Sequence, residues 1–213
     1  MTAKIKLNAA SGGGSFSLQA PSSSSNNRVM TLPDTADGTI LTTTKSRQSN
    51  VIQTKHIIKR DVASRTTSGY DFDTLWSSPA ITVTETGSKI LFTSVGFYST
   101  SNQTGRFGLR VVRSVGGSNS YPTFDGVTAI AVGFGNRQQA FAGFRQNSND
   151  DFAPIGLQVV DEHGQSAGTS ITYHIHSSGE SSNVIYLNRP SSYSDDVSRY
   201  NACSTITLME LAP

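Results

Sequence analysis

Cysteine, charge and long apolar runs are all scarce in this sequence. The single cysteine, Cys203, excludes an intramolecular disulfide, and we expect it to be a small buried residue beside a strand. Charged residues make up 15% of the chain, and its net charge of +2 is too small to indicate nucleic-acid binding. No apolar run approaches the roughly 20 residues that span a bilayer, and the N-terminus lacks the apolar region of a signal peptide. We therefore expect a protein made in the cytosol, without membrane insertion.

Serine, threonine and glycine are abundant instead. The chain has 55 serines and threonines and 19 glycines, a composition that favours an all-β fold rich in turns. Short apolar or alternating stretches predict about ten strands, at the spacing of a β-sandwich or barrel. These strands are predicted at residues 51–58, 80–85, 89–98, 107–115, 127–135, 140–144, 155–160, 169–176, 184–188 and 204–211. A short helix is the alternative for 51–58, but its β-branched residues favour a strand.

Two of these stretches are unusually rich in glycine and alanine. Residues 127–135 and 140–144 read VTAIAVGFG and AFAGF. Small residues weaken a strand unless another backbone approaches it closely. They indicate either a close subunit contact or a bulged bend. Residues 61–70 are polar and are predicted to form a loop, and residues 71–76 form a short aromatic segment after it.

The first 44 residues form a separate module with too few apolar residues to build a core. Its apolar residues occur in short pieces separated by turn residues, a pattern typical of a β-meander. We expect these residues to contact other chains, because so short a segment rarely folds alone. A disordered linker is the alternative. The attachment and oligomerisation residues are Ile5, Leu7, Phe16, Leu18, Val29, Leu32, Ile40 and Leu41. A polar hinge over 45–50 separates this module from a domain over 51–213.

Charge is distributed unevenly along the chain. Residues 45–65 carry six basic residues and one acidic residue. A solvated surface is the simplest interpretation, and an acidic neighbouring protein is a better partner than nucleic acid, because aromatic residues for base stacking are absent there. We expect no nucleic-acid partner.

Two histidines share a face of one predicted strand. His174 and His176 are two residues apart, so both point the same way. Such a pair binds a metal if further ligands join it from other copies of the chain. In the simpler interpretation, Tyr173 and Ile175 face the core and the histidines face solvent or a subunit contact. We expect no bound metal and no cofactor.

Paired carboxylates are the closest approach to catalytic groups. Asp71 and Asp73 share a face, and Asp150–Asp151 and Asp195–Asp196 are adjacent. Glycosidases use two carboxyls, but these lie in turn-like stretches where aspartate bonds locally. We therefore expect no enzymatic activity. Aromatic residues in loops are better candidates for binding sugars, although they also pin loops by packing onto the domain. They are Tyr121, Phe124, Phe152, Tyr193 and Tyr200.

The N-terminal module resembles a known family. The stretch IKLNAASGGGSFSLQAPSSSSNNRVMTLPDTADGTILTTT is similar to the N-terminal module of structural proteins of tailed bacteriophages, especially phages of marine bacteria. The resemblance covers nearly all of residues 4–44. It implies a virion protein whose N-terminal module attaches it to other virion proteins or forms a stem.

The second domain resembles the C-terminal domain of phage fibre and tail proteins. The patterns that carry the resemblance are SPAITVT, SKILFT, VIYLNR and STITLMEL. Those domains are similar to jelly rolls of the tumour-necrosis-factor and C1q type, which are usually trimeric. The resemblance implies a homotrimeric knob displayed on the virion. A short receptor-binding tail fibre that reads host surface glycans, a capsid decoration or head-fibre protein and a polysaccharide-degrading spike are the competing roles.

Overall fold

A computed structural model describes most of the chain: residues 4–8, 10–19, 50–102, 105–132, 137–148, 151–192 and 200–213. Every regular element among these residues is a β-strand. In this part of the chain no helix is long and apolar enough to cross a membrane. The chain divides into two compact units, Met1–Arg47 and Gln48–Pro213. The all-β prediction is therefore confirmed.

The described part of the first unit is a β-hairpin. Strand β1 (Lys4–Asn8) pairs antiparallel with β2 (Ser15–Gln19), which confirms the predicted strand, turn and strand at the start of the chain. Ile5 and Leu7 are 64% and 59% exposed. Because they are two residues apart on one strand, they form one exposed apolar face. The side chains of Phe16 and Leu18, and the predicted positions Val29, Leu32, Ile40 and Leu41, lie outside the described residues.

The second unit contains strands β3 to β16. In chain order they are β3 (Val51–Lys59), β4 (Ala63–Thr66), β5 (Asp73–Ser77), β6 (Ile81–Thr82), β7 (Lys89–Thr100), β8 (Arg106–Val115), β9 (Ser118–Ser120), β10 (Thr123–Phe124), β11 (Val127–Thr128), β12 (Ala142–Arg145), β13 (Ala153–Asp161), β14 (Ser170–Gly179), β15 (Val184–Leu187) and β16 (Ser204–Leu211). The strand predicted at 51–58 is confirmed as β3.

These strands pair as a long hairpin that has been rolled up. β3 pairs with β16, β4 pairs with β15, β5 and β6 pair with β14, β7 pairs with β13, and β8 pairs with β12. Each pairing joins the first and last strands still unpaired, working from the ends of the chain inward. All of them are antiparallel, and this nesting defines a jelly roll. The predicted jelly-roll-like sandwich is confirmed.

Twelve of these fourteen strands form two six-stranded sheets, and β10 and β11 pair with each other in a separate two-stranded sheet. The β7 sheet contains β3, β16, β7, β15 and β4 in that order, with β13 also paired to β7. The β14 sheet contains β12, β8, β14 and β5, with β6 on β14 and β9 on β8. β7 pairs with three other strands, as expected for a central strand.

The hydrophobic core lies between the two sheets. Phe92 and Leu157 of the β7 sheet and Tyr173 and Ile175 of the β14 sheet belong to one buried cluster. The rings of Phe92 and Tyr173 lie 5.6 Å apart across the sandwich. The alternation of buried and outward residues along each strand therefore gives each sheet one inner face and one outer face.

Two predicted strands are shorter than their sequences indicate. Of residues 127–135, only Val127 and Thr128 are in a strand; 133–136 lie outside the described residues, and Ile130 donates a backbone hydrogen bond to Thr128 at 2.8 Å. Of residues 80–85, only Ile81–Thr82 form a strand. The apolar alternation was present in both places, but β6 pairs with β14 only at Ser170 and Ile171, where β14 begins, and β11 pairs only with the two-residue strand β10.

Two polar positions also differ from expectation. Residues 61–70 were predicted to form a loop, yet Ala63–Thr66 form β4, whose backbone pairs with β15. Cys203 was predicted to be buried, yet it is exposed. It immediately precedes the buried Ser204 at the start of β16, and successive residues of an extended chain point in opposite directions.

Candidate ligand-binding groove

The outer face of the β14 sheet contains a groove. Its main cavity has a volume of about 560 Å³, within the range of roughly 300–1,000 Å³ typical of small-molecule sites. A second cavity of about 250 Å³ adjoins it, and the Phe72 ring lines both. Residues that line the main cavity include Tyr70, Phe72, Arg106, Gly108, Arg137 and Gly143. The groove therefore combines aromatic, cationic and glycine positions from distant parts of the chain.

A stacked arginine, Arg110, lines the smaller cavity. The Arg110 guanidinium lies 3.5 Å from the centroid of the Phe72 ring and 5.8 Å from that of Tyr121. It also donates hydrogen bonds to the Gln139 carbonyl at 2.5 Å and to the Tyr121 hydroxyl at 3.1 Å. Cation–π contact and hydrogen bonding together fix the guanidinium and both rings.

Glycines form the floor of the main cavity. A Cβ atom added to Gly108 would lie 3.1 Å from the Phe72 ring and 3.2 Å from the Ala140 side chain. Only glycine lets both residues lie this close to the sheet. At Gly143 an added Cβ would lie 3.6 Å from its nearest atom, the Phe107 carbonyl oxygen, an ordinary contact. Of the glycine- and alanine-rich residues predicted to mark a close approach, Ala140 and Gly143 line the groove.

Positive charge lines both cavities. Arg106 and Arg137 line the larger cavity and Arg110 lines the smaller one. Among the described residues that line them there is no aspartate or glutamate. Arg106 and Arg137 are exposed. The groove therefore offers an environment that attracts an anion.

The two predicted histidines lie on the same outer face. His174 and His176 have ring centroids 6.1 Å apart. His174 Nδ1 lies 2.7 Å from the Ser77 hydroxyl, and His176 Nε2 lies 3.1 Å from the Thr74 hydroxyl. No group of three or more potential metal ligands occurs among the described residues. The histidine pair is therefore held by hydroxyl groups of the neighbouring strand.

Burial favours the neutral form of both histidines. It lowers the pKa of His174, and it is also the largest cause of the lowered pKa of His176. The neighbouring His174, Arg65 and Arg110 lower the pKa of His176 further, whereas Asp73 raises it. Since the ordinary histidine pKa lies near 6.5, we expect both rings to be neutral at pH 7.

The predicted loop aromatics do not form one site. Tyr121 belongs to the groove, whereas Phe124 is 47% exposed beside Lys89, whose Nζ lies 5.0 Å from its ring. Phe152 packs edge-on against Phe97 at 5.7 Å, as in the packing interpretation. Tyr200 is 73% exposed, and Tyr193 lies outside the described residues.

The predicted carboxylate pair makes local contacts. Asp73 Oδ1 accepts a hydrogen bond from the Thr74 N–H at 2.6 Å, and its other oxygen lies 3.9 Å from Arg65. The Asp71 carbonyl accepts a hydrogen bond from the same arginine at 3.2 Å. Asp150 and the pair at 195–196 lie outside the described residues.

The arginines and the aromatic pair of the groove were not predicted from the sequence. Arg106, Gly108 and Arg110 alternate along β8, and this pattern of charge, glycine and charge was a usable signal for an outward cationic face. Tyr70 and Phe72 show the same spacing of two. Nothing in the local sequence indicated that the two segments would meet.

Comparisons with known proteins give only weak similarity. No protein-family model and no curated protein matches the chain. Two solved structures that match come from infectious bursal disease virus. One, of the Gx strain, has a TM-score of 0.28 and 16% identity and covers 75% of this chain and 37% of that chain. The other, of a VP2 subviral particle, has a TM-score of 0.31 and 15% identity and covers 84% and 46%.

Both matched proteins are viral, and this chain spans less than half the length of either. The jelly-roll assignment rests on the strand pairing described above. No conclusion about family or function is drawn from TM-scores this low.

Proposed function

We propose that this chain is a structural component of a tailed-phage virion. The second unit forms a homotrimeric knob displayed on the particle, and residues 1–44 attach the knob to other virion proteins. The groove lets the knob bind host surface glycans, which favours the receptor-binding fibre over the capsid decoration protein. In this proposal the chain assembles and binds a ligand but catalyses no reaction.

The observation that carries the proposal is an uncharged sheet surface. The outward residues of β7 from Leu91 to Phe97 alternate with buried residues such as Phe92, and Val95 among them is 42% exposed. Lys89, the outward residue at the start of β7, forms an ion pair with Glu162 at 2.7 Å and bounds this set. The corresponding positions on the neighbouring strands follow from the pairing registers. Together they are Thr54, His56, Ile58, Leu91, Thr93, Val95, Phe97, Pro154, Gly156, Gln158, Val160, Thr205, Thr207 and Met209. We call this set the uncharged face.

The uncharged face contains no aspartate, glutamate, lysine or arginine. Soluble protein surfaces usually carry about 25–35% of these residues. The buried centre of a protein interface is depleted in charge, whereas lone exposed apolar residues are normal on any surface. A continuous uncharged area across four strands therefore supports contact with further copies of the chain.

The N-terminal hairpin supports the attachment role. Ile5 and Leu7 expose an apolar face on a two-stranded sheet. A two-stranded hairpin is only marginally stable in water and needs a partner to cover such a face. Other virion proteins are the proposed partner.

Light scattering tests the trimer directly. The purified chain should have the mass of three copies, and Val95→Asp should convert it to a monomer because each copy would bury an unpaired carboxylate. Val127, which is 70% exposed outside the uncharged face, offers a matched control. Val127→Asp should remain trimeric. A monomeric wild-type chain at micromolar concentration would refute the proposed assembly.

A further inference from the structure

We propose that the groove on the β14 sheet binds a saccharide that carries a carboxylate group, such as a uronic or sialic acid. This inference rests on the proposed function, because a host surface glycan is then the source of the ligand. It is narrower, because it names the chemical group recognised and the residues that recognise it.

The cationic side of the groove requires an anion. Arg106 and Arg137 are exposed at the main cavity, and none of the described residues that line it is acidic. Guanidinium groups recognise carboxylates through two parallel hydrogen bonds, a geometry that a lysine cannot reproduce. Arg110 is engaged with Phe72, Tyr121 and Gln139, and its role is to position the aromatic wall.

The aromatic side of the groove requires a ligand with an apolar face. Tyr70 is 52% exposed and lines the main cavity. The Ser178 hydroxyl, which is itself buried, donates a hydrogen bond to the Tyr70 carbonyl at 2.8 Å and so fixes the backbone there. The C–H face of a sugar ring packs on such a ring while its hydroxyl groups bond to polar residues. Gln138, another exposed lining residue, supplies an amide for that purpose.

The shape and charge of the groove disfavour nucleic acid. Single-stranded nucleic acids bind along a basic track with several stacking aromatics, spanning about 4–16 nucleotides. Here the cationic region is limited to two cavities of about 560 Å³ and 250 Å³. The second unit carries thirteen acidic and twelve basic residues, so it lacks the net positive charge that favours an extended polyanion.

Calorimetric titration of the full chain tests the inference. The probes are the tetrasaccharide of galacturonic acid, a hyaluronan tetrasaccharide and sialyllactose. At least one should bind, and the methyl ester of the one that binds should bind about tenfold more weakly or not at all, since it lacks the charge. Failure of all three acids, or equal binding of acid and ester, would overturn the inference. So would equal affinity for an oligonucleotide of the same charge.

Three variants locate the binding site. Arg106→Gln and Tyr70→Ala should each weaken binding about tenfold, the effect of one lost charge-assisted bond or one lost stacking partner. Arg60→Gln removes another exposed arginine, which lies outside the groove, and should bind like the wild type. If Arg106→Gln and Arg60→Gln bind equally well, the anion is held elsewhere.

A cavity-filling variant guards against misfolding. Gly143→Val adds a side chain whose Cβ meets only an ordinary contact at a residue that lines the main cavity, so it should abolish binding and keep the wild-type melting temperature. At Gly156, on β13, an added Cβ meets no atom within 4 Å, and Gly156→Val should leave the affinity per chain unchanged. Full binding by a folded Gly143→Val variant would overturn the inference.

The outcomes separate this inference from the proposed function. A trimer that binds none of the acidic saccharides refutes the groove assignment and leaves the virion knob standing. A monomer that binds them refutes the knob and leaves the groove assignment standing.

Discussion

The outer faces of the two sheets use the same backbone pattern for different chemistry. On the β14 sheet, the outward positions include Arg106, Arg110, His174 and His176 around a groove. On the β7 sheet, the outward positions form the uncharged face. Both sheets share one core. Alternation determines which residues face outward, and the identity of those residues then separates ligand binding from assembly.

The largest expected effect on the free energy of unfolding comes from a substitution in the interior between the two sheets. Asp161 on β13 is buried, lies 2.7 Å from Arg113 on β8 and accepts a hydrogen bond from the Tyr173 hydroxyl at 2.6 Å. It therefore joins the two sheets. Asp161→Ala leaves Arg113 without this partner, and we expect it to lower the free energy of unfolding by about 3–5 kcal/mol.

Urea denaturation measures this loss. Asp61→Ala removes an exposed carboxylate that lies 2.7 Å from Lys59, and it should change the urea midpoint little. Equal midpoints for the two variants would show that Asp161 does not hold the sheets together.

A smaller loss should come from Glu210, near the C-terminal end of β16. Glu210 is buried, and it accepts hydrogen bonds from Gln53 at 2.6 Å, Ser88 at 2.7 Å and the Thr84 N–H at 2.8 Å. Burial raises its pKa, but these bonds and one from Glu85 outweigh burial and lower the pKa to about 2. Because the folded pKa lies below the ordinary value of 4.5, the ionised form stabilises the fold.

This contribution is fully present above pH 4.5 and is lost as the pH falls towards 2. The shift corresponds to about 3 kcal/mol. Denaturation of the wild type and Glu210→Gln at a series of pH values checks it. The difference between the two should shrink as the pH falls through that window, and a difference that does not depend on pH would contradict the assignment.

A substitution in the groove should weaken saccharide binding without changing the uncharged face. Gly108→Ala places a Cβ against Phe72 and Ala140, so the Phe72 ring must move. We expect a loss of about 1 kcal/mol in stability and weaker saccharide binding, with an unchanged trimer. Gly14→Ala, between β1 and β2, places a Cβ that meets no atom within 4 Å, and it is the control. Calorimetry and light scattering provide the readouts, and wild-type binding by Gly108→Ala would argue against the role of Phe72.

The smallest effect on the second unit should come from the N-terminal hairpin. Replacing Ile5 and Leu7 by serine removes its exposed apolar face. The melting temperature of the second unit and the mass of the trimer should stay the same, while incorporation into particles is lost. Incorporation at the wild-type level would place the attachment surface elsewhere.

Local patterns predicted most strands because alternation and turn residues are properties of short segments. The shared face of His174 and His176 was predicted in this way, as were the buried Tyr173 and Ile175. Their contacts with Ser77 and Thr74 were not, because those hydroxyls lie about a hundred residues away in the chain. The errors at 127–135 and Cys203 have a related cause. Whether a residue is paired or buried depends on neighbours that the local sequence does not identify.

The groove could not be predicted from the sequence for the same reason. It requires Tyr70 and Phe72 to meet β8 and the segment at 137–143, and only the nested strand pairing brings these segments together. The jelly roll itself was implied by the family resemblance, whereas spacing alone left a sandwich and a barrel equally open.

The separation of the two outer faces is tested most directly by a single variant with two readouts. Val95→Asp should be monomeric by light scattering and should bind the acidic saccharide with the wild-type affinity per chain. A Val95→Asp protein that stays trimeric, or one that becomes monomeric and loses the saccharide as well, would contradict the assignment of assembly to one face and binding to the other.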